Sequence, residues 1–378
     1  MSSVATPAVA AEAVRVPVLV PITGFLALEG TSQMNGALLA IREAAAGPAP
    51  GSASSTNSGT SPTALSIEAE VADTGVSPEV ALTQLERALA QGRPPAIVAP
   101  MLGTQMLALI PRATEVKVPL VTVSGTAKIT ELGSAYVFRF FPGDAVVKAA
   151  QARYTVEELK AKRPALLYQT TAYGQSGRQH LADTFAKLGA PLVAEEAIQP
   201  TAKDLLPALT KALAAKPDVL VLQLHAPSTA LAIRQARSLG ITIPIVAGSA
   251  MHQPSTAALL EPGELAHVCA ESGSSPVSEG SPQMETFAAA YRDAFKAEPD
   301  AFALAQYDGT RMVLAAIAEV GADPERVRDW LASHSHDGIA MTYRSDGVGN
   351  MAHDAVIICY DGVSRLPTIV KRYQNPTG

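Results

Sequence analysis

Apolar residues gather along this chain in short unbroken runs, and between the runs they recur every three to four positions. "VRVPVLVP" is followed by "SQMNGALLAIREAAA", "ALSIEAEVAD" by "SPEVALTQLERALAQG", and "PAIVAP" by "TQMLALIPRATEV". "VPLVTV" then leads into "SGTAKITELG". After Pro142 a second series begins with a helix around 145–160. It continues through "PALLYQT", "GQSGRQHLADTFAKLG", "PLVAEEAI", "AKDLLPALTKALAA", "PDVLVLQL", "STALAIRQARSLG" and "IPIVAG". Near-continuous apolar strands alternating with amphipathic helices predict parallel sheets covered on both faces. The pattern predicts an α/β protein with two doubly wound domains side by side.

The last third breaks the alternation. "SPQMETFAAAYRDAF", "DAFALAQYDGTRMVLAAIAEVG" and "DPERVRDWLASH" read as three successive helices. "AVIICYDG" and "PTIVKRYQ" then read as a strand pair turning at Asp361-Gly362. The helices are expected to return to the first domain and the strands to the second. Ser77-Pro78-Glu79 carries the marks of a helix start: a capping hydroxyl, proline at the first position and an acid in the first turn. The low-complexity stretch 47–62 reads as a mobile surface insertion, because the alternation continues across it.

Composition narrows the function. The chain has 378 residues, long enough for two cores, and its net charge of -6 includes no basic run. Nucleic acid is therefore not expected as a partner, since phosphate contacts need clustered lysine and arginine. No apolar run approaches the roughly 18 residues of a membrane span. The start, "MSSVATPAVAAEA", is not a signal peptide as it stands, although "AVAAEA" fits the tail of a trimmed one. Cys269 and Cys359 lie in apolar, strand-like runs and are expected as buried thiols; an oxidising compartment would allow a disulfide. No phosphate loop, dinucleotide fingerprint, nucleophile elbow or H-E-x-x-H motif occurs. "SHSHD" (333–337) reads as a solvated helix end. Neither a catalytic residue, nor a metal site, nor a cofactor is expected.

Six segments taken in order carry more than any one of them. They are "PITGFLALEGTSQMNGALLAI", "DTGVSPEVALTQLERAL", "VAPMLGTQMLALIP", "VPLVTVSGTAKITELG", "YQTTAYGQSGRQHLADTFAKLGA" and "LAIRQARSLG". Through them the chain resembles the periplasmic substrate-binding proteins of ABC transporters, of the leucine/isoleucine/valine-binding type, from about residue 14 to 372. The resemblance implies a type I periplasmic binding fold: two lobes joined by three crossovers that close on a ligand. The crossovers fall near 140–143, 270–275 and 343–347. They divide the chain into 14–140 plus 275–344 and 141–274 plus 345–378. The resemblance also implies a periplasmic, monomeric protein with no enzymatic role. It would hand a small ligand in the interlobe cleft to ABC permease subunits in the membrane.

The resemblance further implies a site. Two strand-to-helix loops, at Gly103-Thr104 and Ser124-Gly125-Thr126, match those that hold the ligand's carboxylate. The physics agrees: helix N-termini present free N–H groups, glycine lets backbone approach, and the hydroxyls donate. Phe25, Leu28 and Glu29 would come from the first loop, Tyr173 and His225 from the second lobe, and Phe302, with Tyr307, from the late helices. Amino-acid binders of this type place an acid after the strand matching "IPIVAG", and here Ala250 stands there, followed by Met251. Burying an ammonium without a counter-charge is costly. The expected cargo is therefore a carboxylate without an α-ammonium, such as a 2-oxo or aromatic acid. His225 or His252 would donate to its carbonyl. If Glu29 faces inward, a branched-chain or other amino acid returns as cargo. A ligand-sensing regulatory domain of the same fold is the other alternative.

Overall fold

The computed structural model describes residues 13–46 and 66–377, so the start of the chain and the 47–62 insertion lie outside the described residues. The first series forms β1 (Val14–Val20), α1 (Ala27–Ala46), β2 (Ile67–Asp73), α2 (Pro78–Ala90), β3 (Ile97–Val98), α3 (Gly103–Val116), β4 (Leu120–Thr122), α4 (Lys128–Glu131) and β5 (Val137–Arg139). Its strands make one parallel sheet in the order β2-β1-β3-β4-β5. Ser77 caps α2 as its sequence predicts, accepting from the backbone N–H of Glu79 and Val80.

The second series forms α5 (Asp144–Arg153), β6 (Pro164–Gln169), α6 (Ala172–Lys187), β7 (Ala194–Ile198), α7 (Leu206–Ala214), β8 (Val219–Gln223), α8 (Ala226–Ser238), β9 (Ile245–Ala247), α9 (Pro254–Ala257) and β10 (Val268–Ser272). There follow α10 (Pro282–Phe295), α11 (Ala301–Val320), α12 (Pro324–Ser333), β11 (Ser335–Asp337), β12 (Thr342–Arg344), β13 (Ala355–Cys359) and β14 (Thr368–Tyr373). The second sheet runs β14-β13-β10-β9-β8-β6-β7. It is parallel from β7 to β10 and antiparallel where β13 and β14 join.

The late helices do return to the first sheet. Met312, Val313 and Ile317 of α11 and Val327 and Leu331 of α12 share a core with Val16, Val18 and Phe138. Helix α11 crosses α1 closely: a Cβ on Gly36 would stand 2.0 Å from the Ala303 carbonyl. The stretch 335–337 is not a helix end, because it pairs with 342–344 as a short antiparallel ribbon.

The two cysteines are not thiols. Cys269 and Cys359 face each other across β10 and β13 and are joined as a disulfide. Two strands adjacent in the sheet but 90 residues apart in sequence bring them into register. Replacing both with alanine should lower stability by about 2–4 kcal/mol, since the bridge restrains a long loop of the unfolded chain. Calorimetric melting with and without reductant measures this, and a reductant-insensitive Tm would contradict it.

Candidate functional site

Both sheets point strand carboxyl ends at a shared cleft, where ligands sit in open α/β folds. A small cavity of about 30 Å³ lies there. From the first sheet's side it is lined by Leu26, Glu29, Met101, Val123, Gly125 and Phe302. Phe141, Tyr173, His225, Ser249 and Ala250 line the other side.

The lobes touch directly around this cavity. Glu29, in the first turn of α1, accepts the Ala226 N–H at the N-terminus of α8 (2.8 Å). Asp300, which caps α11, takes Ser32 Oγ on one oxygen and Gln253 Nε2 on the other, each at 2.5 Å. His252 Nε2 accepts the Ala301 N–H (3.2 Å). The cleft is closed.

Glu29 is the charged residue of the wall. It is 2 % exposed, and its Oε2 has no hydrogen-bond partner. Burial raises its pKa to about 7, partly offset by the Ala226 N–H. Opposite, the His225 ring lies between Phe25 (5.3 Å) and Tyr173 (5.2 Å) and meets Thr171 Oγ1 at 3.1 Å. Burial depresses His225 to about 3, so the ring is neutral. Tyr173 is buried, and its hydroxyl has no partner. Ser249 Oγ donates to the Glu271 carboxylate, 2.7 Å from Oε1 and 2.9 Å from Oε2, and the fully buried Lys148 pairs Oε1. Asp144 stands behind Gly125: its Oδ1 lies 3.2 Å from where a Gly125 Cβ would be. Burial lifts Asp144 to about 7, with Lys148 opposing.

Of the residues singled out in the sequence, Glu29, Gly125, Tyr173, His225, Ala250 and Phe302 meet at this cavity. The others stand elsewhere. Phe25 is half-buried at the cleft mouth and lines a neighbouring groove with Pro227 and Leu231. Leu28 is half-buried and off the cavity wall, and Thr104 is exposed. Gly103 lies under Thr126, whose Oγ1 would be 2.0 Å from a Cβ there. The Ser124 and Thr126 hydroxyls are buried without partners but do not line the cavity. Met251 packs in the second sheet's core, and its carbonyl accepts from Tyr360 (2.8 Å). His252 spends Nε2 on the Ala301 N–H instead of a ligand. Tyr307 packs with Phe287 and donates to Glu43.

Sequence reasoning missed Leu26, Met101, Val123, Phe141 and Ser249. Period-two alternation would have found Val123, which shares a face with Gly125. Helical spacing would have paired Leu26 with Glu29. Gln33 on α1 fixes the Met101 loop, accepting its N–H (3.1 Å) and donating to the Ala99 carbonyl (2.8 Å).

Two α/β lobes closed over a small, mostly apolar cavity define a ligand-binding protein of the clamshell class. The family model described as "Periplasmic binding protein" matches residues 13–358, and the chain belongs to that family, with the type I periplasmic binding fold. An "Amino acid binding protein" of Pseudomonas aeruginosa is 25% identical over 268 residues, covering 70% of each chain. The branched-chain amino acid transporter substrate binding protein LivJ of Streptococcus pneumoniae, solved with isoleucine, superposes with a TM-score of 0.83. It is 24% identical and covers 95% of this chain and 100% of its own. An ABC-transporter solute binding protein of Rhodopseudomonas palustris, solved with 3,4-dihydroxy benzoic acid, gives 0.81 at 20% identity, covering 96% and 97%. Among the described residues, no helix is long and apolar enough to cross a membrane, and no cluster of three potential metal ligands occurs.

Proposed function

We propose that this chain is the extracytoplasmic receptor of an ABC importer, and that its cargo is a small amino acid with an apolar side chain. One observation carries the choice of cargo: the buried, unpartnered Oε2 of Glu29 on the cavity wall. It supplies the counter-charge whose absence at Ala250 had pointed to a cargo without an ammonium. The carboxylate end would sit on the backbone at Gly125, and the side chain against Leu26, Met101, Phe141 and Phe302. Contacts from both lobes then favour the closed form by differential affinity. Delivery to permease subunits follows from membership of the family.

A second reading keeps a 2-oxo or aromatic acid as cargo. It draws support from Glu29's raised pKa, because a protonated carboxyl could donate to an anion. The apolar Ala250 and the aromatic lining favour it too. The sign of the pH dependence separates the two. An ammonium-bearing cargo needs ionised Glu29, so its affinity should rise about tenfold per pH unit up to pH about 7 and then level. An anion without an ammonium needs protonated Glu29, so its affinity should be level below about 7 and fall above it. Asp144 titrates in the same range, so the slope must also vanish in Glu29→Gln to be assigned to Glu29. Calorimetric titration of L-leucine against 4-methyl-2-oxopentanoate, and L-phenylalanine against benzoate, from pH 5.5 to 8.5 on the order of one unit apart, makes the test. Tighter binding of the desamino partners with a falling slope would replace the first reading by the second.

A further inference from the structure

We propose that Arg139 builds the ligand's carboxylate seat from behind and ties it to the hinge. Arg139 ends β5, immediately before the first crossover, and is 3 % exposed. Its Nη1 donates to three successive carbonyls of the loop after β4: Ser124 (3.4 Å), Gly125 (3.2 Å) and Thr126 (2.8 Å). A trans peptide sets its N–H opposite its C=O. Drawing those carbonyls onto the guanidinium therefore turns the N–H groups of Gly125, Thr126 and Ala127 to the far side. Gly125 borders the cavity there, and the Ala127 N–H bonds Ser176 on α6 (2.9 Å). The cation also polarises these peptides, making their N–H ends better donors to an anion.

The same guanidinium holds the hinge. Nε donates to Asn350 Oδ1 (3.0 Å), Nη2 also donates to it, and Nη2 reaches Thr130 Oγ1 (3.1 Å). The Arg139 backbone bonds Gly349 O (2.8 Å) and Met351 N (2.9 Å), just beyond the third crossover. Gly143, in the first crossover, lies flat on the guanidinium: a Cβ there would stand 2.5 Å from Cζ. The next residue, Asp144, donates its N–H to the Gly125 carbonyl (2.7 Å) that Arg139 also holds. One side chain thus joins the seat to two chain crossings between the lobes. Arg139 does not line the cavity; it is a positioning residue.

The assignment of a carboxylate to Gly125 rests on the reading above, and the coupling to the hinge does not, so the test has two arms. The first uses the ligand-free chain and hydrogen exchange read by mass spectrometry. Asn350→Ala removes the hinge acceptor while leaving the loop contacts, and Arg139→Lys keeps the charge without the planar fork. Amides of 125–127 should exchange about tenfold faster in both variants, with the β8 and β10 amides unchanged. Unchanged exchange at 125–127 in Asn350→Ala, whose fold should survive, would overturn the coupling. The second arm compares L-leucine with L-leucinamide. The preference for the carboxylate should shrink about tenfold in Arg139→Lys. An undiminished preference would overturn the seat. If the unmodified chain binds neither probe, the cargo reading fails, while the exchange arm still decides the coupling.

Discussion

Replacing Glu29 with glutamine should weaken binding of an apolar amino acid by about 2–5 kcal/mol, roughly thirty- to several-thousand-fold in Kd. The substitution is nearly isosteric. Glutamine's carbonyl oxygen can keep the Ala226 N–H bond that crosses the cleft, so the closed geometry is retained and only the charge is lost. An ammonium taken into a mostly apolar cavity would then face an amide where it had a carboxylate, and a buried unpaired charge is expensive. The empty protein should respond in the opposite direction. Glu29 has its folded pKa raised from 4.5 to about 7, so its contribution to stability is fully present below about 4.5 and is lost as pH rises through 7. Glu29→Gln should therefore melt higher than the parent at pH 8 and bind worse. A variant that binds L-leucine as tightly as the parent would remove the ammonium contact, and tighter binding of benzoate would favour the anion in its place.

The fold was legible because its signals are redundant. Most of the buried parallel strands sit in runs of several apolar residues, and several helices carry a side-chain cap, at Ser77, Thr171, Ser281, Asp300 and Asp323, so an error at one element is corrected by the next. The return of α11 to the first sheet was legible for a different reason: three helices without intervening strands need a partner face, and α1 offers one. The site was legible only in part. The loop 123–126 was read by chemistry, which picks the hydroxyls of Ser124 and Thr126. The loop curls around Arg139, so Val123 and Gly125 line the cavity while the Ser124 and Thr126 hydroxyls are buried away from it. Glu29 was seen, but whether an acid in the first turn of a helix faces solvent or a cleft depends on the second lobe, which has no trace in the local sequence. The disulfide was hidden for the same reason, because register between β10 and β13 is a property of the sheet. Arg139 carries no local signal beyond a charge at the end of a strand, and its five acceptors lie up to 211 residues from it in sequence.

Lys148→Met should destabilise the protein by about 3–5 kcal/mol, the cost of leaving one member of a buried ion pair alone. Lys148 on α5 and Glu271 on β10 are both fully buried, and their contact lies beneath the cavity, with the Tyr173 ring 5.5 Å from the ammonium. Removing the ammonium leaves Glu271 with Ser249 as its remaining donor. The stranded charge would also stand beside a cavity already walled by Glu29, so carboxylate affinity should fall together with stability. The double variant Lys148→Met/Glu271→Gln separates the two causes. Neutralising both partners removes the uncompensated charge and should recover most of the loss, because a buried pair is itself worth little against neutral groups that pack well. Chemical denaturation of the four members of this cycle reads the coupling directly. Equal losses in the single and double variants would mean that Lys148 acts through its packed alkyl stem, and that its charge contributes nothing to holding α5 against the second sheet.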